Sequence, residues 1–294
     1  MNKKLTFILI FLVALLTIFP VTPSAAQGGQ PPSFPPPPSA EELLKFAVPD
    51  STPELNILNP ASPLYGKIPP PPPRKVPPTI GNHTTIENQT GLLALHDYWG
   101  ASIAQQIPAP SDVGVYARQQ IITTLTIPNN STLYAPTLLS GNNALYEAVT
   151  SYNNSGVMTR QFAVFNHATG TWVLAKNLDS TFVSKYTSGG YYTVIVRKIS
   201  GIWYVYLYNY QTGLYEIQVS GTGTGPNGIG WNIYESYLSG CSNLPVFRSR
   251  DLQVVTTTGW KYVAGGYGAE LSNLTCAYSK SWISQFYSWN IDPN

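Results

Sequence analysis

The pattern of apolar and polar residues changes near residue 90. After that point the chain alternates short runs rich in β-branched and aromatic residues with clusters of Gly, Asn, Ser and Thr, a pattern typical of half-buried strands joined by turns. The predicted strands are 116–127, 145–152, 160–165, 171–175, 191–198, 203–209, 215–219, 232–237, 252–257 and 260–262. Since no long amphipathic helix interrupts them, residues 91–294 are predicted to be all-β, an antiparallel two-sheet β-sandwich of jelly-roll-like form.

Residues 1–26 have the pattern of a secretory signal peptide. Lys3 and Lys4 precede an apolar stretch at 5–19, and small residues follow at 24–26. The stretch is shorter than the roughly 20 residues that span a bilayer. We therefore expect a secreted protein that is free of the membrane once the signal peptide is removed.

Residues 27–90 contain most of the prolines, including the runs Pro35–Pro38 and Pro69–Pro73, which favour an extended polyproline II arm. Between the runs, Ser39 can cap a short helix with an apolar patch that can dock on the main domain; its members are Leu43, Leu44 and Phe46. Two interpretations are open for this arm. It is a propeptide that covers an active site until it is removed, or a spacer that holds the domain away from a cell wall or membrane.

Charge and composition narrow the classes of function. Only 10% of the residues are charged and the net charge is +2, without a cluster of Lys and Arg, so nucleic-acid binding is not expected. The three histidines, His83, His96 and His167, and the two cysteines do not have metal-ligand spacing. No metal and no cofactor is therefore expected.

Export also bears on the cysteines and on glycosylation. Outside the cytosol, Cys241 and Cys276 can form a stabilising disulfide; two free buried thiols are the alternative. Asn-x-Ser/Thr sequons fit an exported surface if the host glycosylates, although some arise by chance in a chain rich in Asn and Thr; those expected on the surface include Asn82, Asn88, Asn129, Asn153 and Asn273.

Two catalytic or nucleotide-binding patterns are rejected. Gly223–Gly228 matches G-x-G-x-x-G, but Pro226 and the absence of a following helix predict a hairpin loop. No G-x-S-x-G nucleophile elbow occurs, and His96 and Asp97 have no evident serine partner.

Two glutamates stand out because each lies inside an aromatic strand. They are Glu147, after Tyr146, and Glu235, after Tyr234. Burying a carboxylate is costly unless a partner or a shared proton relieves it. If both side chains share one face, they form a coupled pair that can activate water and donate a proton. The alternative is that both point to solvent from half-exposed strands.

The order of several segments over roughly 95–265 resembles the neprosin-type glutamic peptidases and, more distantly, the eqolisins. The segments are 98–103 (YWGASI), 119–121 (QQI), 143–148 (NALYEA) and 230–237 (GWNIYESY). The resemblance implies that Glu147 and Glu235 are the catalytic pair, that an N-terminal activation peptide is removed at acid pH, and that cleavage follows proline. The chain departs from the family at Ile233 and Tyr234, where glycines are usual, and at 149–152, where a tryptophan-rich stretch is usual.

The resulting hypothesis is a secreted, monomeric, acid-active glutamic endopeptidase that acts on protein or peptide substrates, including proline-rich ones. Five residues are expected to line its substrate groove: Trp99, Gln120, Tyr146, Trp231 and Tyr234. The alternative for such aromatic residues is the sandwich core. Two other functions are open: a non-catalytic sandwich that binds carbohydrate or a cell surface, and a structural surface or filament subunit.

Overall fold

The computed structural model describes residues 34–74, 85–87, 93–104, 111–264 and 266–293. The predicted signal peptide, His83, Asn82 and Asn88 lie outside the described residues. Within the described residues the elements are α1 (Ala40–Phe46), β1 (Val48–Pro49), β2 (Thr85–Glu87), β3 (Leu93–Ile103), β4 (Val113–Gln120), β5 (Ser131–Leu139), β6 (Tyr146–Asn154), β7 (Met158–Asn166), β8 (Thr171–Asn177), α2 (Ser180–Tyr186), β9 (Thr187–Ser188), β10 (Tyr191–Ile199), β11 (Ile202–Asn209), β12 (Leu214–Gly221), β13 (Gly230–Leu238), β14 (Phe247–Thr256), β15 (Gly259–Tyr262), β16 (Gly268–Asn273), β17 (Ser279–Ser284) and β18 (Ser288–Asp292).

The strands form two sheets. The ten-stranded sheet has the order β1-β12-β11-β10-β4-β14-β18-β17, with β9 beside β10 and β15 beside β14. The eight-stranded sheet has the order β16-β3-β13-β5-β6-β7-β8, with β2 beside β3. Apolar residues of both sheets form one buried cluster, which includes Trp99, Phe162, Trp203 and Trp289. The predicted all-β, antiparallel two-sheet sandwich is confirmed.

Alternation along the strands separates an inner from an outer face in each sheet. In β6, Ala148 and Tyr152 belong to the core cluster, whereas Glu147 lies on the opposite side of the strand. In β11, Trp203 and Val205 are in that core, whereas Tyr206 belongs to a separate cluster on the outer face. Both outer faces carry buried side chains because the N-terminal arm covers them.

The arm runs from one outer face to the other. Its residues 34–47 lie on the ten-stranded sheet, where Leu43 is buried, while Leu44 and Phe46 of the predicted patch are exposed. Strand β1 then pairs in parallel with β12, and Ile57 donates its backbone N–H to Ala175 of β8. Residues 58–74 continue over the eight-stranded sheet, where Leu58, Leu64 and Ile68 pack on Ala163 and Ala175.

Some predicted elements differ from the structure. Strand β4 ends at Gln120, and the apolar residues that follow it, Ile121, Leu125 and Ile127, are buried in a loop rather than in a strand. The prediction of a hairpin at Gly223–Gly228 is wrong, since this loop carries the chain from β12 in one sheet to β13 in the other.

The disulfide between Cys241 and Cys276 is confirmed, with a Cα–Cα distance of 5.5 Å. The surface expectation for the sequons is wrong at two of them, since Asn153 and Asn273 are 4% and 7% exposed and their side chains bond within the fold. Asn129 is exposed. Among the described residues, no helix combines the length and the apolar character needed to cross a membrane.

Candidate active site

The two glutamates singled out in the sequence lie near each other on the outer face of the eight-stranded sheet. Both of their strands pair with β5: Glu147 of β6 is opposite Leu139, and Glu235 of β13 is opposite Tyr134. Both side chains are completely buried. The solvent-exposed alternative is therefore wrong, and the burial requires partners for two carboxylates.

A single guanidinium from the arm bridges the two carboxylates. Arg74 Nη1 lies 2.5 Å from Oε1 of Glu147, and Nη2 donates to Oε2 of Glu235. The Arg74 side chain is only 2% exposed, and its guanidinium lies over the ring of Tyr134 at 5.1 Å. The arm thus supplies the cation for this buried pair, across more than 70 residues of chain to Glu147.

Glu147 accepts further hydrogen bonds from the domain itself. Trp231 Nε1 donates to Oε1 at 2.9 Å, the Thr137 hydroxyl donates to the same oxygen, and His167 Nε2 lies 3.0 Å from Oε2. Burial alone raises the pKa of Glu147, but the Arg74 charge and the bonds to His167 and Thr137 outweigh it and lower the pKa to about 2. Glu147 is therefore held in its ionised form.

Glu235 has a different set of partners. His96 Nε2 lies 2.9 Å from Oε1 of Glu235, and the Tyr237 hydroxyl donates to the same oxygen at 2.8 Å. The other oxygen, Oε2, accepts from Arg74. The His96 and Tyr237 rings stack at 4.4 Å with an interplanar angle of 7°. Burial and the neighbouring Glu235 charge raise the pKa of Tyr237, so this phenol remains a hydrogen-bond donor.

The proline run that precedes Arg74 is bound through its carbonyl groups. Gln161 Nε2 donates to the Pro69 oxygen at 2.8 Å. Trp172 Nε1 and the Tyr134 hydroxyl donate to the Pro72 oxygen at 2.9 and 3.2 Å. Polyproline II has three residues per turn, so carbonyls three residues apart face the same side. The outer face of this sheet binds an extended proline segment on one side of the glutamate pair.

The structure places one of the five predicted groove residues, Trp231, beside the glutamates. Trp99 and Tyr234 lie on the inner face, where they contact Trp289 and Phe247 respectively. Tyr146 also belongs to the core cluster. Gln120 is on β4 of the other sheet, opposite Tyr191.

Five residues that contact the glutamates were not predicted from the sequence: Arg74, His96, His167, Thr137 and Tyr237. His167 was predictable in principle. The β6–β7 hairpin pairs Glu147 with Phe165, so residue 167 lies diagonally opposite Glu147 on the same face. Arg74 has no such local pattern, because the arm reaches the site only through the tertiary fold.

Within the described part of the chain, no three His, Cys, Asp or Glu side chains come together in a group that could hold a metal ion. What the site offers is proton-transfer chemistry. It combines two carboxylates, two imidazoles and donor groups from Trp231, Thr137 and Tyr237 in a buried setting.

Comparison with known proteins gives limited similarity. No protein-family model matches the chain, and no curated protein matches it. Among solved structures, Scytalido-glutamic peptidase with a peptide-based transition-state analog is 11% identical, with a TM-score of 0.35 over 67% of this chain and 98% of that one. SCP-B, a member of the eqolisin family, in complex with the tripeptide Ala-Ile-His is 13% identical, with a TM-score of 0.33 and the same coverage.

A structure of another kind has a comparable score. The CBM2 module of the evolved Dit of Lactobacillus casei BL23 phage J-1 is 10% identical, with a TM-score of 0.33 over 59% of this chain and 69% of that one. Similarity at this level concerns the outline of the β-sandwich and does not distinguish a peptidase from a binding module. The neprosin type remains a prediction, and any function has to be argued from the site.

Proposed function

We propose that the protein is a secreted glutamic endopeptidase that uses Glu147 and Glu235 and is made as a latent precursor. The observation that carries the proposal is the pair of fully buried carboxylates, bridged by one guanidinium from the proline-rich arm. Two carboxylates this close hold a proton between them once the cation leaves, which is the state that acid catalysis of peptide hydrolysis requires. The leader pattern and the disulfide support export.

The partners of each glutamate support a division of roles. Glu147 accepts from Trp231 and Thr137, which favours its charged form, so Glu147 is the base. Oε2 of Glu235 faces Arg74 and is the oxygen that carries the proton when Arg74 is gone. His96 and Tyr237 hold the other oxygen of Glu235 and keep the carboxyl group oriented.

In the proposed reaction, Glu147 removes a proton from water while the water oxygen bonds to the substrate carbonyl carbon. Glu235 donates its proton to the carbonyl oxygen, so no free oxyanion forms. The proton on Glu147 then passes to the amide nitrogen, the carbon–nitrogen bond breaks, and the new hydroxyl group returns a proton to Glu235. Both glutamates end in their starting states.

The arm acts in this proposal as an inhibitory propeptide. Arg74 occupies the space between the carboxylates, where water and the scissile carbonyl have to bind, and it neutralises the base. Removal of the arm frees the pair. The spacer alternative explains neither the burial of Arg74 nor its contact with both glutamates.

The bound arm also supports a preference for proline-containing substrates. Donors from Gln161, Trp172 and Tyr134 are spaced for the carbonyls of an extended proline run that leads to the glutamates. We propose that substrate prolines occupy this groove on the N-terminal side of the scissile bond.

The test is digestion of an unfolded protein by the full chain from about pH 2 to about pH 7, across the titration range of carboxylates. We expect acid proteolysis, and a rate lower by about 10²–10⁴-fold in Glu147→Gln and in Glu235→Gln, the usual contribution of an acid or base group. Mass spectrometry of the fragments reports the residue before each cut.

The matched control is Glu270→Gln, since Glu270 of β16 is paired with Lys280 of β17 rather than with Arg74. This variant should retain full activity, and near-UV circular dichroism should show that all variants fold. Undiminished proteolysis by a folded Glu147→Gln or Glu235→Gln chain would remove that residue from the mechanism. Absence of proteolysis at every pH, both by the folded full chain and by a folded chain from which residues 27–90 have been removed, would overturn the proposal.

A further inference from the structure

The first proline run is also bound, on the outer face of the other sheet. The Tyr116 hydroxyl donates to the Pro35 carbonyl oxygen at 2.7 Å. Arg197 Nη1 and Trp260 Nε1 donate to the Pro38 oxygen at 2.8 and 2.6 Å. The two recognised carbonyls are again three residues apart, the repeat of a polyproline II helix.

The residues that make these bonds are held by contacts within the domain. Arg197 forms a two-point ion pair with Asp112, at 2.8 Å from Nε and 2.6 Å from Nη2. Its guanidinium lies 5.1 Å from the Trp260 ring, and the Trp260 ring lies 6.3 Å from that of Tyr116. Because these contacts do not involve the prolines, the donors are in place before a proline segment binds.

Aromatic side chains complete the surface. Tyr116, Tyr206 and Tyr215 form part of a buried cluster on this face, with Tyr204 and Tyr208 packed against it. Phe34, the residue before the run, stacks under the guanidinium of Arg118 at 3.6 Å. Flat aromatic surfaces combined with hydrogen-bond donors are how proteins recognise polyproline II, whose ring faces are apolar and whose carbonyls are unpaired.

We propose that this face of the ten-stranded sheet is a second binding site, one for proline-rich segments of other proteins. In the precursor the chain's own residues 34–38 occupy it; once they leave, a proline run preceded by an aromatic residue binds in their place. The site binds without hydrolysing, because its nearby carboxylates, Asp112 and Asp251, are paired with Arg197 and Arg118 of the same sheet. The inference requires that residues 34–38 leave this surface, as they do when the arm is removed under the proposed function, but it does not require that Glu147 and Glu235 hydrolyse peptide bonds.

The test uses the full chain with its own run disabled by Pro35→Ala, Pro36→Ala, Pro37→Ala and Pro38→Ala together. A labelled peptide with the sequence of residues 34–40, FPPPPSA, is titrated by fluorescence anisotropy. We expect saturable binding to this variant. Binding to the unaltered chain should be at least about tenfold weaker, because the tethered run competes at a millimolar effective concentration.

Two controls locate the binding. Adding Tyr116→Phe and Trp260→Phe to the four-proline variant should lower its affinity for the peptide by at least about fivefold, since each change removes a hydrogen bond. In indole N–H correlation spectra, the peptide should shift the Trp260 signal. It should not shift the Trp172 signal, which reports the surface of the eight-stranded sheet that binds Pro72. Three results would overturn the proposal: no binding by a folded four-proline variant, equal binding of a peptide with alanine at the four prolines, or a shift confined to Trp172.

Discussion

Two regions of the molecule bind proline runs in the same way and differ in one respect. Each outer face holds two carbonyls three residues apart and uses a tyrosine hydroxyl and a tryptophan N–H among its donors. On the ten-stranded sheet Tyr116 donates to Pro35 and Trp260 to Pro38. On the eight-stranded sheet Tyr134 and Trp172 both donate to Pro72, and Gln161 donates to Pro69. Near the run on the ten-stranded sheet, the carboxylates of Asp112 and Asp251 are paired with Arg197 and Arg118 of that sheet. On the eight-stranded sheet the guanidinium comes from the arm itself.

The difference shows how a binding surface can acquire chemistry. A carboxylate that is paired with an arginine of its own sheet, such as Asp112 with Arg197, stays paired whether or not the arm is present. The pair of Glu147 and Glu235 has a removable cation, and the histidines that remain, His96 and His167, contact one glutamate each. Removal of the arm therefore changes the charge of one site and leaves the charge of the other almost unchanged.

The largest expected effect on stability comes from replacing Arg74, the cation that the arm supplies. Arg74→Met should lower the free energy of unfolding at neutral pH by about 3–5 kcal/mol, the cost of leaving a buried charge without its partner. Arg197→Met, the matched change on the other sheet, should cost about 1 kcal/mol, because Asp112 is 33% exposed and water can solvate it. Urea denaturation measures both, and equal losses would contradict the comparison.

The second effect concerns pH. The pKa of Glu147 is about 2 in the folded chain, where burial is outweighed by Arg74 and the other donors. An unperturbed glutamate has a pKa of about 4.3, so this group contributes about 3 kcal/mol of stability above that pH, which is lost as the pH falls through the folded value. In Arg74→Met the loss should begin at higher pH.

Glu216 is also buried. Burial raises its pKa, but hydrogen bonds from Asn209, Lys185 and Tyr186 outweigh burial and lower the pKa to about 2. Glu216 titrates in the unaltered chain and in Arg74→Met alike. The difference between the two pH curves therefore reports the site that Arg74 contacts, which includes Glu147, and not Glu216. Superimposable curves for the unaltered chain and Arg74→Met would show that Arg74 does not set the ionisation of Glu147.

The smallest expected loss of stability concerns Tyr116 and Tyr134, the tyrosines that donate to the two proline runs. Tyr116→Phe removes the one donor to the Pro35 oxygen among the described contacts and should cost about 1 kcal/mol. Tyr134→Phe should cost less, about 0.5 kcal/mol, because Trp172 still donates to the Pro72 oxygen. Chemical denaturation of both variants at neutral pH checks the order, and the reverse order would contradict this account of the two runs.

Alternation and turn residues predicted the strands between 145 and 262 because that region is built from short hairpins, in which neighbours in sequence are neighbours in space. Strand β5 was not predicted. Its Pro136 normally argues against a strand, and here it lies in an irregularity between Tyr134 and Thr137, where the ladder does not pair regularly. The short strands after residue 267 carry many polar residues and have no clear periodicity.

The candidate site divides in the same way. Glu147 and Glu235 could be found locally, because a carboxylate inside an aromatic strand conflicts with its surroundings. Arg74 could not, because a lone arginine after a proline run has no periodicity, and its position over the glutamates depends on how the arm crosses the sheet edges at β12 and β8. Prolines predicted an extended arm, but not which surfaces bind it.

The most direct measurement of the central claim is maturation of one chain by another. An isotope-labelled chain with both Glu147→Gln and Glu235→Gln is incubated at acid pH, alone and with the unlabelled natural sequence, and the labelled fragments are identified by mass spectrometry. The account predicts that the labelled chain alone keeps its arm, and that in the mixture it loses the arm by cuts that follow proline. Loss of the arm from the labelled chain alone, or an intact arm in the mixture when both chains are folded, would contradict it.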